Sequence, residues 1–139
     1  MSKLQEYNGR FCESEYEYAF ITLLEKEGWQ YLQGDKINRQ TRSDVLYSDD
    51  LENFLSRTNP DLLPYEIHQI MDSVRLVGAE SDFATLHKVY GWMVSGIQFT
   101  PQNGIPRIIS LIDFETTDNN IFRCVNQFAV EYILSLIHI

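Results

Sequence analysis

The chain has 139 residues, of which 44% are hydrophobic and 13% aromatic, and this composition excludes a disordered or fibrous protein. Its length allows a single hydrophobic core, and its net charge of −9 argues against a nucleic-acid-binding domain that works alone. No apolar run is long enough to span a membrane, and the start at Met1 lacks the apolar core of a signal peptide, so we expect a cytoplasmic location.

The cysteines and histidines show no metal-binding pattern. Cys12 and Cys124 lie far apart in the sequence, and in a cytosolic chain such thiols are usually free and buried. A zinc site needs four close ligands, whereas the three histidines have no paired spacing. We therefore expect no zinc site at His68, His87 or His138.

The first predicted helix follows Ser14, which forms a capping box with Glu17. Gly28 supplies its C-terminal stop. Helical spacing predicts one buried face, made of Tyr16, Ala19, Phe20, Leu23 and Leu24. The segment from Trp29 to Leu32 then predicts a short strand that runs to Gly34.

A polar loop with exposed Arg39 and Arg42 precedes a second predicted helix, which begins near Ser48 and ends at Asn59-Pro60. Its buried stripe is Leu51, Phe54 and Leu55. A third helix starts at Pro64 and buries Ile67, Ile70, Met71 and Val74, ending by Gly78.

Ser81 is the predicted cap of a fourth helix that ends near Gly96. It carries an apolar stripe at helical spacing, formed by Phe83, Leu86, Val89, Tyr90 and Met93. A stripe of this kind usually packs into a core rather than holding a cofactor, so we predict that it is buried.

After Gly96 the pattern changes to short apolar runs, which predict strands at residues 97–99, 107–114 and 122–133. The loop joining the last two covers Thr116 to Asn120. The order of elements predicts an α/β protein with an α+β-like arrangement, in which N-terminal helices are followed by the strands of one sheet.

Two groups of residues in the sequence form a recognisable pattern. The first is a Ser-Glu-x-x-x-Glu-like helix followed by a glycine and an aromatic residue. The second is an Asp-Phe pair, a loop with an asparagine, and an aromatic residue before Asn-Gln-Phe. The residues of this pattern are Glu13, Glu17, Gly28, Trp29, Asp113, Phe114, Asn120, Phe122, Val125, Asn126, Gln127 and Phe128. Together they resemble the N-terminal region of the R subunit of type I restriction-modification enzymes.

This resemblance implies the PD-(D/E)xK class of nuclease, in which acidic residues bind magnesium and a metal-activated water attacks the phosphodiester. It also implies an ATP-driven full-length protein that acts on double-stranded DNA with methyltransferase and specificity subunits. The family's catalytic Asp and Glu-x-Lys follow the Asn-Gln-Phe strand, and this sequence contains no such segment. We therefore expect this fragment to be inactive and to hold neither ATP nor metal.

Glu13 and Glu17 are the remaining candidates for a catalytic role, because some nucleases of this class add a glutamate from the first helix to the metal shell. Helix capping and solvent exposure are the competing explanations for these two residues. Asp113 could lie near the metal or could organise the following loop, and the second alternative has more support. Asn126 and Gln127 are expected to satisfy backbone groups, with a polynucleotide contact as the lesser alternative. Arg39 and Arg42 could contact phosphate or only water.

The last six residues, 134–139, resemble a translated adapter sequence used in sequencing libraries. On this interpretation residues 1–133 are a partial N-terminal nuclease domain and residues 134–139 are a tail foreign to the gene. The alternative is a complete small acidic module without enzymatic activity, which binds a protein partner or mimics DNA.

Overall fold

The structure is a computed structural model that describes residues 13–39, 46–79 and 82–130. The chain divides into two compact units. Unit 1 combines residues 1–45 with residues 122–139, and unit 2 comprises residues 46–121. The predictions for Cys12, Arg42, Ser81, His138 and the 134–139 tail lie outside the described residues.

Unit 1 contains one helix and a pair of parallel strands. Its elements are α1 (Glu13–Lys26), β1 (Gln30–Gln33), a 3-10 turn (Gly34–Lys36) and β4 (Arg123–Asn126). Helix α1 ends before Gly28, whose φ of 92° confirms the predicted glycine stop. The helix already includes Glu13, so Ser14 lies in its first turn and the predicted capping position is wrong by at least one residue.

The predicted buried face of α1 is wrong. Tyr16, Phe20 and Leu23 are each more than half exposed, and Ile21 is the buried residue of the helix. Helix α1 packs against β1 and β4, and Ala19 and Leu24 of the predicted face are partly buried. Ile21, Ile37 and Cys124 are the buried apolar side chains described in unit 1, and the Cys124 thiol is free as predicted.

Unit 2 contains three helices and an antiparallel strand pair. Its elements are α2 (Ser48–Thr58), α3 (Pro64–Arg75), a 3-10 turn (Leu76–Ala79), α4 (Asp82–Ser95), β2 (Ile97–Phe99), β3 (Arg107–Ile109) and a 3-10 turn (Thr117–Asn119). Helices α2 and α3 begin at the predicted residues. Their predicted stripes form most of the core, which consists of Phe54, Leu55, Ile67, Ile70, Met71, Ile97 and Ile109.

Helix α4 differs from its prediction in burial. Phe83 is 82% exposed and Leu86 is 70% exposed, and Tyr90 and Met93 are exposed as well. The helix contacts the core of unit 2 through its other side, where Trp92 packs against the buried cluster. The spacing correctly identified a helix, but the stripe was wrongly assigned to the core.

The strands form two separate pairs rather than the one predicted sheet. Strands β1 and β4 are parallel, with Gln30 opposite Arg123 and Gln33 opposite Asn126. Strands β2 and β3 are antiparallel, with Ile97 opposite Ile109. The predicted strand at 107–114 stops at Ile109, and residues 110–114 are irregular.

The content of helices and short strands confirms a mixed α/β fold of the α+β kind. In the described part of the chain, no helix combines the length and apolar character needed to cross a membrane.

Candidate functional site

The candidate site lies at the carboxyl end of the β1–β4 pair in unit 1. Parallel strands bring their carboxyl ends to the same edge, so Gln33 and Gly34 after β1 lie beside Asn126 and Gln127. Helix α1 packs against both strands and contributes Glu17 to this edge. Three segments that are distant in sequence therefore meet here.

Glu17 is the half-buried carboxylate of the site. The side-chain Nε2 of Gln127 lies 3.4 Å from each of the two carboxylate oxygens of Glu17. Glu13 precedes Glu17 by four residues, about one turn along the same helix, and is exposed. The two candidate glutamates thus differ in environment, because Glu17 contacts a strand end and Glu13 faces solvent.

The backbone around Gln127 is unusual. Gln127 has a φ of 54°, a left-handed conformation that few residues other than glycine, asparagine and aspartate adopt. Gly34 passes so close to this segment that a Cβ at position 34 would lie 2.6 Å from the carbonyl oxygen of Asn126. A glycine is required where two backbones approach this closely.

Tyr31 and Asn126 join the two strands through their side chains. The Tyr31 hydroxyl donates a 2.7 Å hydrogen bond to Oδ1 of Asn126. Partial burial raises the pKa of Tyr31, and the nearby Tyr18 and Glu17 raise this pKa further, while the hydrogen bond to Asn126 opposes them. The phenol therefore stays protonated at neutral pH and acts as a donor.

Aromatic contacts fix the opposite end of the strand pair. The rings of Trp29 and Phe122 lie 5.4 Å apart and are tilted by 51°. The backbone N–H of Gln30 donates to the carbonyl of Phe122 at 2.9 Å. Trp29 and Phe122 come from the two motif groups, so part of the second group lies with the first in unit 1, whereas its Asp113, Phe114 and Asn120 belong to unit 2.

Asp113 and Phe114 lie in unit 2, where they line an open cleft of about 450 Å³ together with Thr58 and Ile108. The Asp113 carboxylate accepts hydrogen bonds from Nδ2 of Asn119 at 2.9 Å and from the N–H of Thr116 at 2.8 Å. It also accepts one from the N–H of Glu115. The bonds from Asn119 and the two N–H groups lower the pKa of Asp113, and this carboxylate organises its loop.

Asn120 completes that loop. Its Oδ1 accepts from the N–H of Asp113 at 2.9 Å, and its Nδ2 donates to the carbonyl of Asp113 at 2.8 Å. Asp113 is also four residues beyond the end of β3, whereas the sequence placed it at the end of a longer strand. These contacts agree with the loop-organising alternative for Asp113.

Arg39, which the sequence offered as a phosphate contact, and the two described histidines all have partners within the chain. The guanidinium of Arg39 stacks 4.3 Å from the ring centre of Phe128 and donates to the carbonyl of Ala129. His68 contacts Glu52 at 3.2 Å, and the ring of His87 stacks on Phe83.

The donor set for a metal at this edge is small. Among the described residues, His, Cys, Asp and Glu form no group of three or more suited to hold an ion. Magnesium in proteins often takes one or two carboxylates and completes its shell with water and substrate oxygens. At the strand edge, Glu17 is the carboxylate that could serve as such a ligand.

A family comparison identifies the chain. The family model described as "Type I restriction enzyme R protein N terminus" matches residues 11–135 of the 139. The chain belongs to this family. The match to the R protein N terminus covers both units and includes every residue of the resemblance described above. No curated protein and no solved structure shows a significant match.

The roles of Tyr31 and Gly34, which hold β1 against the end of β4 in this R protein N terminus, were not predicted from the sequence. Gly34 carried a usable signal, because a glycine directly after a strand often marks a close backbone approach. Tyr31 carried none, since its partner Asn126 is 95 residues away and nothing local links the two positions.

Proposed function

We propose that this chain is the N-terminal part of the DNA-cleaving R subunit of a type I restriction endonuclease. The observation that carries the proposal is the family match over residues 11–135. Contacts between residues of the two motif groups within unit 1 support it, because Trp29 contacts Phe122 and Glu17 contacts Gln127.

The proposed reaction of the full-length protein is phosphodiester hydrolysis in unmodified double-stranded DNA. The proposal includes a PD-(D/E)xK nuclease fold, magnesium and ATP as cofactors, and methyltransferase and specificity subunits as partners. Magnesium supplies charge neutralisation and an activated water when bound. The sequence has no Gly-x-x-x-x-Gly-Lys-Ser/Thr segment, so this chain's own residues do not fit ATP.

Within this chain we assign the metal-directed role to Glu17. Its carboxylate is half-buried at the carboxyl end of two parallel strands and is held by a neutral amide. Glu13 is the second candidate, because it lies one turn away on the same helix and its exposure leaves it accessible. One or two carboxylates are too few for catalysis, which in this class also needs the Asp and Glu-x-Lys.

Two measurements test the proposal. Sequencing the source locus beyond codon 133 should reveal an open reading frame that encodes an Asp and a Glu-x-Lys within the next pair of strands. A genuine stop codon after Ile139 would contradict the nuclease function and favour the acidic binding module. The 139-residue chain itself should not nick supercoiled plasmid in the presence of Mg²⁺, and nicking that disappears in Glu17→Ala would contradict the predicted inactivity.

The longer frame provides the test of Glu17. In the protein expressed from it, Glu17→Ala should lower the rate of Mg²⁺-dependent cleavage, because one metal ligand is lost. Glu25→Ala is the matched control, since Glu25 is an exposed glutamate on the same helix. Equal cleavage rates in the two variants would show that Glu17 is not a metal ligand.

A further inference from the structure

Gln127, which directly follows β4, combines a left-handed backbone with a side-chain contact to helix α1. It is the one non-glycine residue with positive φ in the ranges that the structure describes, and its side chain points back to helix α1. Backbone strain at a residue of this type persists only where its surroundings enforce it, and it is concentrated at functional sites.

The surroundings that enforce the strain are identifiable. Gly34 lies against the carbonyl oxygens of Asn126 and Gln127, and any side chain at position 34 would displace them. The hydrogen bond from Tyr31 to Asn126 holds the preceding residue of β4 in place. The chain therefore leaves β4 in a fixed direction at Gln127.

The amide of Gln127 faces a carboxylate. Its Nε2 is equally distant, at 3.4 Å, from Oε1 and Oε2 of Glu17. The opposite orientation of the amide would place its oxygen against two carboxylate oxygens, so the N–H groups must face Glu17. Because the amide is neutral, it orients the carboxylate without cancelling its charge.

We propose that Gln127 is a positioning residue, whose left-handed backbone turns its amide onto Glu17 and fixes that carboxylate at the edge of the β1–β4 pair. This inference rests on the metal role proposed for Glu17, and it adds the residue that orients this ligand. Partners that hydrogen-bond to a metal ligand contribute strongly to metal affinity, and their loss typically costs about 10- to 100-fold.

Nuclear magnetic resonance on the isotope-labelled 139-residue chain tests the positioning directly. Wild type should show nuclear Overhauser effects between the Gln127 side-chain amide and the Glu17 Hγ protons. Gln127→Gly accepts positive φ and removes the whole side chain with its amide, so the fold should persist while Glu17 becomes rotationally averaged. Gln127→Asn also tolerates this φ, and its amide is one methylene too short, so it should give the same averaging. Gln33→Ala, an exposed glutamine at the end of β1, is the matched control.

A Glu17 side chain that is equally ordered in wild type, Gln127→Gly and Gln127→Asn would overturn the positioning role. Mn²⁺ titration of the protein expressed from the longer frame, which also carries the Asp and Glu-x-Lys, then separates this inference from the proposed function. Paramagnetic broadening at Glu17 should require about tenfold more Mn²⁺ in Gln127→Gly than in wild type or Gln33→Ala. No broadening at Glu17 in wild type would overturn the metal role, even if the amide contact is observed.

Discussion

The carboxylate of Glu66 on α3 accepts a 3.0 Å hydrogen bond from the backbone N–H of Gln102, 36 residues further along the chain. Its other oxygen accepts from the N–H of Leu63 at the start of the same helix. Glu66 is only 3% exposed, so one buried carboxylate satisfies two backbone donors and ties the β2–β3 turn to α3.

Glu66→Ala should therefore lower the free energy of unfolding by about 2–3 kcal/mol, because both N–H groups lose a charged acceptor. The control is Glu52→Ala, which removes a half-exposed carboxylate that contacts His68 and should cost less than about 1 kcal/mol. Urea denaturation followed at Trp92 measures both variants, since Trp92 packs against the same core. Equal losses would contradict the proposed role of Glu66.

Asp113 should contribute to stability in a pH-dependent manner. The hydrogen bonds from Asn119, Thr116 and Glu115 hold the pKa of Asp113 below its usual value, so the unfolded state takes up the proton first. The contribution is present above the unfolded pKa of about 3.9 and is lost as pH falls through the lower folded pKa. Asp113→Asn should destabilise the protein at pH 7, and the difference from wild type should shrink below about pH 4.

Denaturation midpoints at pH 7 and at pH 3 measure this effect, with Asp118→Asn as the control from an exposed position in the same loop. A difference between wild type and Asp113→Asn that is unchanged at pH 3 would show that the carboxylate charge is irrelevant to the loop.

The exposed stripe of α4 predicts an asymmetry between two large apolar residues. Leu86 is 70% exposed and Ile70 is 1% exposed. Leu86→Ala should change the free energy of unfolding by about 0.5 kcal/mol or less, whereas Ile70→Ala should cost about 2–5 kcal/mol because it leaves a cavity. Thermal and urea denaturation compare the two variants. A large loss of unfolding free energy in Leu86→Ala would mean that the stripe is buried, as the sequence predicted.

Two glycine substitutions should have opposite effects. At Gly34 an added Cβ meets the backbone of Asn126 and Gln127, so Gly34→Ala should destabilise unit 1 by about 1–3 kcal/mol. At Gly91, inside α4, nothing lies within 4 Å of an added Cβ, and Gly91→Ala should stabilise the protein by about 0.5–1 kcal/mol. Differential scanning calorimetry measures both shifts, and stabilisation by Gly34→Ala would disprove the close approach.

The elements that the sequence predicted best are those whose signals are local. Ser48 and Pro64 start α2 and α3 as expected, and the stripe from Ile67 to Met71 is buried as expected. These helices pair with each other, so the apolar side of each has a neighbour within the same unit.

The wrong predictions of helix burial share one physical cause, which is that periodicity identifies the apolar side of a helix but not whether another layer covers it. Phe20 on α1 and Phe83 on α4 belong to well-spaced stripes and are nevertheless exposed. Strand pairing across long separations was equally invisible, because no local pattern specifies that β1 pairs with β4. At the candidate site Glu17 was chosen by resemblance, and its contact with Gln127 required the structure.

The pairing of β1 with β4 also sets an order for folding during synthesis. Unit 2 is one continuous stretch of chain, and it can form its core as soon as residue 121 has left the ribosome. Unit 1 is discontinuous, so β1 can pair only after β4, which is made some 90 residues later, has been synthesised. Bringing the two strands together costs the conformational entropy of closing the long loop between them. We infer that the edge carrying Glu17 is assembled last, after unit 2 has already folded.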